Sequence, residues 1–356
     1  MPRLVLAPMA GYTDSPFRLV CKKMGADWVF TEMISADGIL ATQHILLRLA
    51  MKKNVQICDV KRWLSRKNTP TGLKLFVGGK FEKEERPISI QLVGNHPDKI
   101  ANAAKIMIEI FNPDGIDINM GCPSKDIFKN GGGCALLSTP RRAIDMIEKT
   151  RKIIEETNCA SNKKCTLLSV KTRLGLVDED ELGKVIQDFY SAGCDFVIVH
   201  ARTYKDFFSG RPRLSALRKV VEKAHRVKGW VIGNGGVVDV KSYKEMLKSG
   251  VDGVAIGRGA IGNPWIFQSL PAGKDIKPSI KERVKVALQH ARLVWKIEGS
   301  QGIVEMRKHL GSYFKGIPGI KKIRTKLVNV SHIRDVEALL EALLEALLNE
   351  LKTKFL

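Results

Sequence analysis

Residues 230–259 read WVIGNGGVVDVKSYKEMLKSGVDGVAIGRG. Two short apolar runs, 230–233 and 253–256, each break into glycine: Asn234-Gly235-Gly236 after the first and Gly257-Arg258-Gly259 after the second. The stretch between them has helical character, and Gly250 closes it just before the second run, as a helix C-cap does. Run, helix, run is a βαβ unit with parallel strands. Outward from here the alternation repeats, with runs at 4–6, 28–31, 88–92, 115–119, 167–172 and 196–200. Ser15-Pro16 supplies an N-cap and a first-turn proline, and Gly25 ends that helix. Thr139-Pro140 repeats the device before an amphipathic stretch reaching about Asn158, and Gly193 closes another helix before 196. Eight such units predict an α/β fold, a (β/α)8 TIM barrel. The alternative, a doubly wound open sheet, wants a GxGxxG after an early strand, and the sequence has none.

From about Pro271 the strand signal stops. Residues 280–298, 301–315 and 333–354 read as amphipathic helices, so the expected division is a catalytic barrel over 1–267 and an all-α helical domain over 272–356. Residues 52–86 are irregular, with 10 Lys/Arg against 4 Asp/Glu, and Gly78-Gly79 suits a hairpin turn. A solvated excursion and an RNA-contacting loop are both open readings.

The chain carries 59 Lys+Arg against 37 Asp+Glu, a net charge of +22. Such a surface attracts a polyanion: RNA, DNA or an anionic membrane. A merely solubilising surface is the plainer reading, but the charge is uneven, with 14 basic and 4 acidic residues between 272 and 329. No apolar stretch approaches a membrane span and no leader pattern opens the chain, so a cytoplasmic protein without a membrane partner is expected. Seven cysteines without a CxxC pair argue against disulfides, zinc or clusters, and no metal is expected.

A barrel's active site lies at the C-terminal ends of its strands. Those ends hold Pro8-Met9-Ala10, Gln91, Asn119 to Pro123, Lys171-Thr172-Arg173, His200-Ala201-Arg202 and the two glycine turns. Gly235, Gly236 and Gly257 let backbone N–H groups approach an anion, Arg258 adds charge, and a helix beginning near Ala260 would aim its positive end there. The plainer reading is tight turns. Cys122 stands in a Gly-Cys-Pro turn at the rim, where a working thiol is favoured over inert packing; Cys134 is its near competitor. Lys171 is costly to bury alone, so it wants an anionic ligand or a structural ion pair. His200 is either a ligand contact or a satisfied core histidine.

Five stretches resemble the dihydrouridine synthase family: 6–14 (LAPMAGYTD), 117–123 (DINMGCP), 169–175 (SVKTRLG), 199–203 (VHART) and 257–267 (GRGAIGNPWIF). They run in order over most of the barrel, and the likeness is nearest the bacterial B-type. The resemblance implies reduction of tRNA uridines to 5,6-dihydrouridine by an FMN enzyme drawing on NADPH or NADH. By resemblance, Pro8, Met9, Ala10, Gln91, Lys171 and His200 line the flavin ring, and Asn234, Gly235, Gly236, Gly257 and Arg258 hold its phosphate. Cys122 is the implied proton donor to carbon 5 after hydride reaches carbon 6 from reduced FMN, with Asn119, Arg173 and Arg202 near the substrate. Gly236 and Ala201 depart from the family's usual residues, and the 52–86 excursion is longer than usual. The helical domain is implied to bind tRNA, and a monomer is expected. The rivals are an FMN barrel acting on a free pyrimidine, like a dihydroorotate dehydrogenase, and a non-catalytic tRNA-binding factor. The large basic charge disfavours the first and the intact cysteine disfavours the second.

Overall fold

The computed structural model of the chain describes residues 1–51, 81–161, 165–317 and 320–354. Most of the basic excursion, with its expected hairpin, lies outside the described residues; its end forms a 3-10 turn, Lys83–Glu85.

Eight strands close into one parallel barrel in chain order: β1 Leu4–Leu6, β2 Trp28–Ser35, β3 Ile88–Val93, β4 Gly115–Met120, β5 Leu167–Arg173, β6 Phe196–His200, β7 Trp230–Asn234 and β8 Gly253–Ile256. β8 returns to β1 with Leu4, Val5 and Leu6 opposite Val254, Ala255 and Ile256. Alternation sorts the side chains, because successive strand residues face opposite ways. In β4, Ile116, Ile118 and Met120 join the core between barrel and helices, so Asp117 and Asn119 face inward. The lower interior is filled by Val5, Trp28, Phe30, Phe196, Ile198, Ile232 and Ala255, with the Trp28 and Phe196 rings edge-on at 6.3 Å. The barrel is therefore plugged below, and chemistry is confined to its upper mouth.

The first barrel helix, Ser15–Lys23, is capped by Asp14, one residue earlier than the sequence predicts. Asp14 Oδ1 accepts the Phe17 N–H at 2.8 Å, while Ser15 Oγ donates to Glu85 Oε1 at 2.6 Å. Aspartate and serine cap equally well; the pull of Glu85 decides between them. Arg18 beside it forms a buried ion pair with Glu85 at 2.6 Å, which fastens this helix to the segment returning toward β3.

After β8 come helices Ile266–Ala272, Ile280–Tyr313, Lys321–Leu327 and Ile333–Lys354, and no further strand among the described residues. The break expected near residue 300 is real: Gly299, at φ 69°, ψ −149°, interrupts the long helix. These helices build a second hydrophobic cluster that takes in Val20 and Trp265 from the barrel side. At the seam Phe17 lies against His309 (4.6 Å between ring centroids) and His290 (5.8 Å). His290 Nδ1 sits 3.0 Å from the Tyr313 hydroxyl. Burial keeps both imidazoles neutral, lowering His309 to about 3. The described helices include none long and apolar enough to cross a membrane.

Candidate active site

Pairing register sets Gln91, Asp117 and Ser169 side by side on β3, β4 and β5. Asp117 is fully buried. Its carboxylate accepts from Ser169 Oγ at 2.6 Å and from Gln91 Nε2 at 2.6 Å. Those bonds and the Lys171 charge favour the ionised form, but burial outweighs them and lifts the carboxyl to about 7. With its Nε2 held by Asp117, Gln91 presents Oε1 to Asn119 Nδ2 at 2.9 Å. Asn119 Oδ1 then accepts the N–H groups of Gly121 (3.1 Å) and Cys122 (2.9 Å). A buried carboxylate thus orients an amide, which orients a second amide, which holds the turn carrying the cysteine.

Cys122 is half-buried, and burial raises its thiol above the usual range against opposing pulls from the Ser124 N–H, Lys171 and Arg173. Gly133 closes the turn from below at φ +57°; a Cβ there would lie 2.7 Å from the Cys122 carbonyl oxygen. Cys134 is fully buried, its thiol is pushed up to about 12 by burial, and its N–H donates to the Cys122 carbonyl at 3.2 Å. Its surroundings make it inert packing beneath the turn.

Lys171, in register with Asn119, is half-buried, and its side chain makes no hydrogen bond or close ion pair among the described residues. Burial and the Arg173 charge lower its ammonium to about 8. His200 is 7% exposed. Its Nε2 lies 3.0 Å from Arg202 Nη1; a guanidinium can only donate, so Nε2 accepts and Nδ1 carries the proton. Burial and four nearby cations lower this imidazole to about 2, so it is neutral at physiological pH.

Sequence reasoning sets Arg173 and Arg202 beside the substrate; in the structure both guanidiniums also hold the loop after β6. Arg173 is 1% exposed; it donates from Nε to the Gly121 carbonyl (3.0 Å) and from Nη1 to those of Thr203 (3.0 Å) and Phe207 (2.6 Å). Arg202 donates to the Ser209 and Gly210 carbonyls at 3.0 and 2.7 Å. These are braces of the mouth. Asn119 and Gln91, 7% and 2% exposed, are likewise mostly consumed within the chain of bonds described above.

Across the mouth, Asn234 Nδ2 ties β7 to β8 through the Ala255 carbonyl at 2.7 Å. Gly235, at φ +113°, lies so near His200 that a Cβ would come within 2.6 Å of the ring. The backbone N–H groups of Gly235, Gly236, Val237 and Gly257 have no acceptor among the described residues, and exposed Arg258 stands beside them. The helix expected near Ala260 is only a 3-10 turn, Arg258–Ala260, and regular helix starts at Ile266. Pro264 explains the delay, because a residue before proline disfavours helical geometry. Free N–H groups and Arg258, rather than a helix end, make this cradle attractive to an anion. Pro8 and Met9 are half-buried and Ala10 exposed at the end of β1; Met9 abuts Gly257.

The mouth therefore gathers the expected residues from all around the barrel, together with several that sequence reasoning missed. Asp117 and Ser169 stand inside two of the family-like stretches, 117–123 and 169–175, yet nothing in the sequence marks them as partners of each other. Gly133 touches the cysteine turn only through tertiary packing. Phe208, whose ring lies 5.1 Å from the Arg258 guanidinium and 5.4 Å from that of Arg173, had no signal at all.

Residues 5–352 match the dihydrouridine synthase family. The chain is 30% identical to a probable tRNA-dihydrouridine synthase of Aquifex aeolicus, over 95% of both chains. It is 31% identical to one from Rickettsia typhi, over 90% of this chain and 88% of the relative. Identity to tRNA-dihydrouridine synthase B of Pseudomonas aeruginosa is 28%, over 94% and 90%. A match this long takes in the barrel, its mouth and the helices behind it, and the chain belongs to the dihydrouridine synthase family of enzymes.

Proposed function

We propose that this enzyme reduces uridines in tRNA to 5,6-dihydrouridine, using FMN held in the barrel mouth and NADPH or NADH as the source of electrons, as a cytoplasmic monomer. The names of its relatives support the substrate. The mouth suits FMN on two counts: a cradle of free N–H groups with an arginine, and a half-buried lysine whose side chain makes no hydrogen bond among the described residues. Asn234, Gly235, Gly236, Gly257 and Arg258 would hold the phosphate, and Pro8, Met9, Ala10, Gln91, Lys171 and His200 the ring. Held there in its reduced form, FMN would supply a hydride for carbon 6 of the uracil.

The protein's own part is to place the pyrimidine, stabilise the charge that develops at carbon 5 and its neighbouring carbonyl, and deliver a proton. The observation carrying this reading is the suspension of Cys122 from Asn119 at an accessible turn, with its thiol kept protonated at neutral pH by burial. The Cys122 Sγ proton goes to carbon 5, and the thiolate left behind regains a proton from water, which its partial exposure admits. Lys171, still largely protonated at pH 7, lowers the cost of the developing negative charge. His200 is neutral, so it contributes an N–H donor and no charge. Arg173 and Arg202 fix the walls.

A stacked uridine must be swung out to reach this mouth, at a cost of a few kcal/mol. Phosphate contacts elsewhere on the tRNA offset that cost. A groove on the long helix, lined by Lys285, Gln289, Arg292, Leu293 and Lys296, suits such contacts. Cys122→Ala tests the reading: purified protein should remain yellow and bind tRNA, while dihydrouridine, measured by mass spectrometry of the RNA, falls by at least about 100-fold, the scale of a lost general acid. Wild-type turnover in that variant would remove Cys122 from the role.

A further inference from the structure

Phe207 and Phe208, 51% and 44% exposed, are the only exposed phenylalanines among the described residues. They sit together at the tip of the loop after β6, rings edge-to-face at 4.7 Å. A folded chain normally hides such area, and one loop exposing two aromatic rings marks a contact surface.

The tip is also held stiffly. Phe207 has φ +53°, a left-handed conformation that a phenylalanine rarely adopts. It is kept there by its N–H bond to the Tyr204 carbonyl (3.0 Å) and by Arg173 on its own carbonyl. Asp206 anchors the same loop, taking Arg213 through both oxygens at 2.9 and 3.0 Å and the Thr203 N–H at 2.9 Å. Because Arg173 also grips the Gly121 carbonyl, a single guanidinium fixes the spacing between the aromatic tip and the Cys122 turn. Exposed Lys205 and Arg211 flank the pair in sequence. Rigid aromatic faces between cations are the pattern that binds unstacked nucleic acid, the rings taking bases and the cations phosphates.

We infer that Phe207 is a stacking platform for a nucleobase neighbouring the uridine that enters the mouth. The inference rests on the proposed reaction and deepens it: it names what receives the RNA left unstacked when one nucleotide is withdrawn. Phe208 is already engaged with the guanidiniums of Arg173 and Arg258, so Phe207 is the ring free to stack.

The test is a series at Phe207, with Ala, Leu and Tyr, comparing the Kd for a tRNA transcript and the KM and kcat for dihydrouridine formation. Phe207→Ala should raise Kd and KM by between about fivefold and a hundredfold, the range of one base–aromatic stack, with kcat unchanged. Phe207→Tyr, which keeps the ring, should stay within about twofold of the wild type, and Phe207→Leu should resemble Ala. Wild-type Kd in the Ala variant would overturn the platform and leave the pair to some other partner, such as a protein surface. Wild-type binding by the Leu variant would overturn it too, since apolar area without a π-face would suffice. If the unaltered enzyme forms no dihydrouridine in tRNA, the proposed reaction fails, and the Kd series still judges the platform by itself.

Discussion

Gly133→Ala puts the coupling between the Cys122 turn and its support to a quantitative test. The new Cβ would stand 2.7 Å from the Cys122 carbonyl oxygen, 3.1 Å from Ile127 Cγ2 and 3.2 Å from Cys122 Cβ. Relief to ordinary contact needs the turn to retreat by about 0.5 Å, and a misplacement of about 1 Å at reacting groups can cost about 100-fold, so a loss of about tenfold in kcat is expected. The φ of +57° adds a backbone penalty of roughly 1–3 kcal/mol for any residue with a side chain. The control is Gly131→Ala: its φ is +75°, so the backbone cost is similar, but its nearest neighbour would be 3.5 Å away on the flexible end of Arg142. Single-turnover formation of dihydrouridine at saturating tRNA reads the effect, with flavin content, tRNA Kd and melting temperature recorded for both variants. Both should melt a few degrees lower, and only Gly133→Ala should slow the reaction. Equal slowing in the two would show that general loosening, and not displacement of Cys122, sets the rate; an unslowed Gly133→Ala would refute the positional argument outright.

The buried Asp117 carboxyl is raised to about 7 in the folded chain, so its stabilising contribution is complete below about pH 4 and is lost as pH rises through about 7. Between those limits the melting temperature should decline with pH less steeply in Asp117→Asn than in the wild type; parallel slopes would mean the carboxyl is ionised throughout. Replacing Lys285, Arg292 and Lys296 together by Gln should flatten the dependence of log K for tRNA on log salt by about 2 to 3 units. An unchanged slope would locate the phosphate contacts away from this groove.

The barrel was legible because parallel strands covered on both faces are written as short, largely apolar runs, and seven of the eight began where such a run begins and ended within a residue of it. β2 was the exception, continuing through Glu32 to Ser35, since the polar pair Thr31-Glu32 interrupts its apolar run. The strand-end positions of Cys122, Lys171 and His200 followed from the same runs. What the chain did not announce was which polar groups answer one another. Asp117 lies within a recognisable motif, yet its pairing with Ser169 and Gln91 depends on register across three strands. Arg173 and Arg202 look from sequence like ligand-binding cations, and only the path of the loop after β6 shows that they also bond its carbonyl oxygens. Phe207 lies in a loop without periodicity, and its exposure is a property of the folded surface alone.

The packing of Phe17 against His290 and His309 has a consequence for how a large substrate is measured. A helix of the barrel wall serves simultaneously as part of the floor for the helices behind it, which ties the two together by direct packing. On the proposed function, the span from the basic groove of the long helix to the Cys122 turn is then a fixed length, and the enzyme works as a gauge. Whichever uridine lies that far from the gripped phosphates is the one presented for reduction, so selection among uridines is made by distance, without any need to read the bases in between.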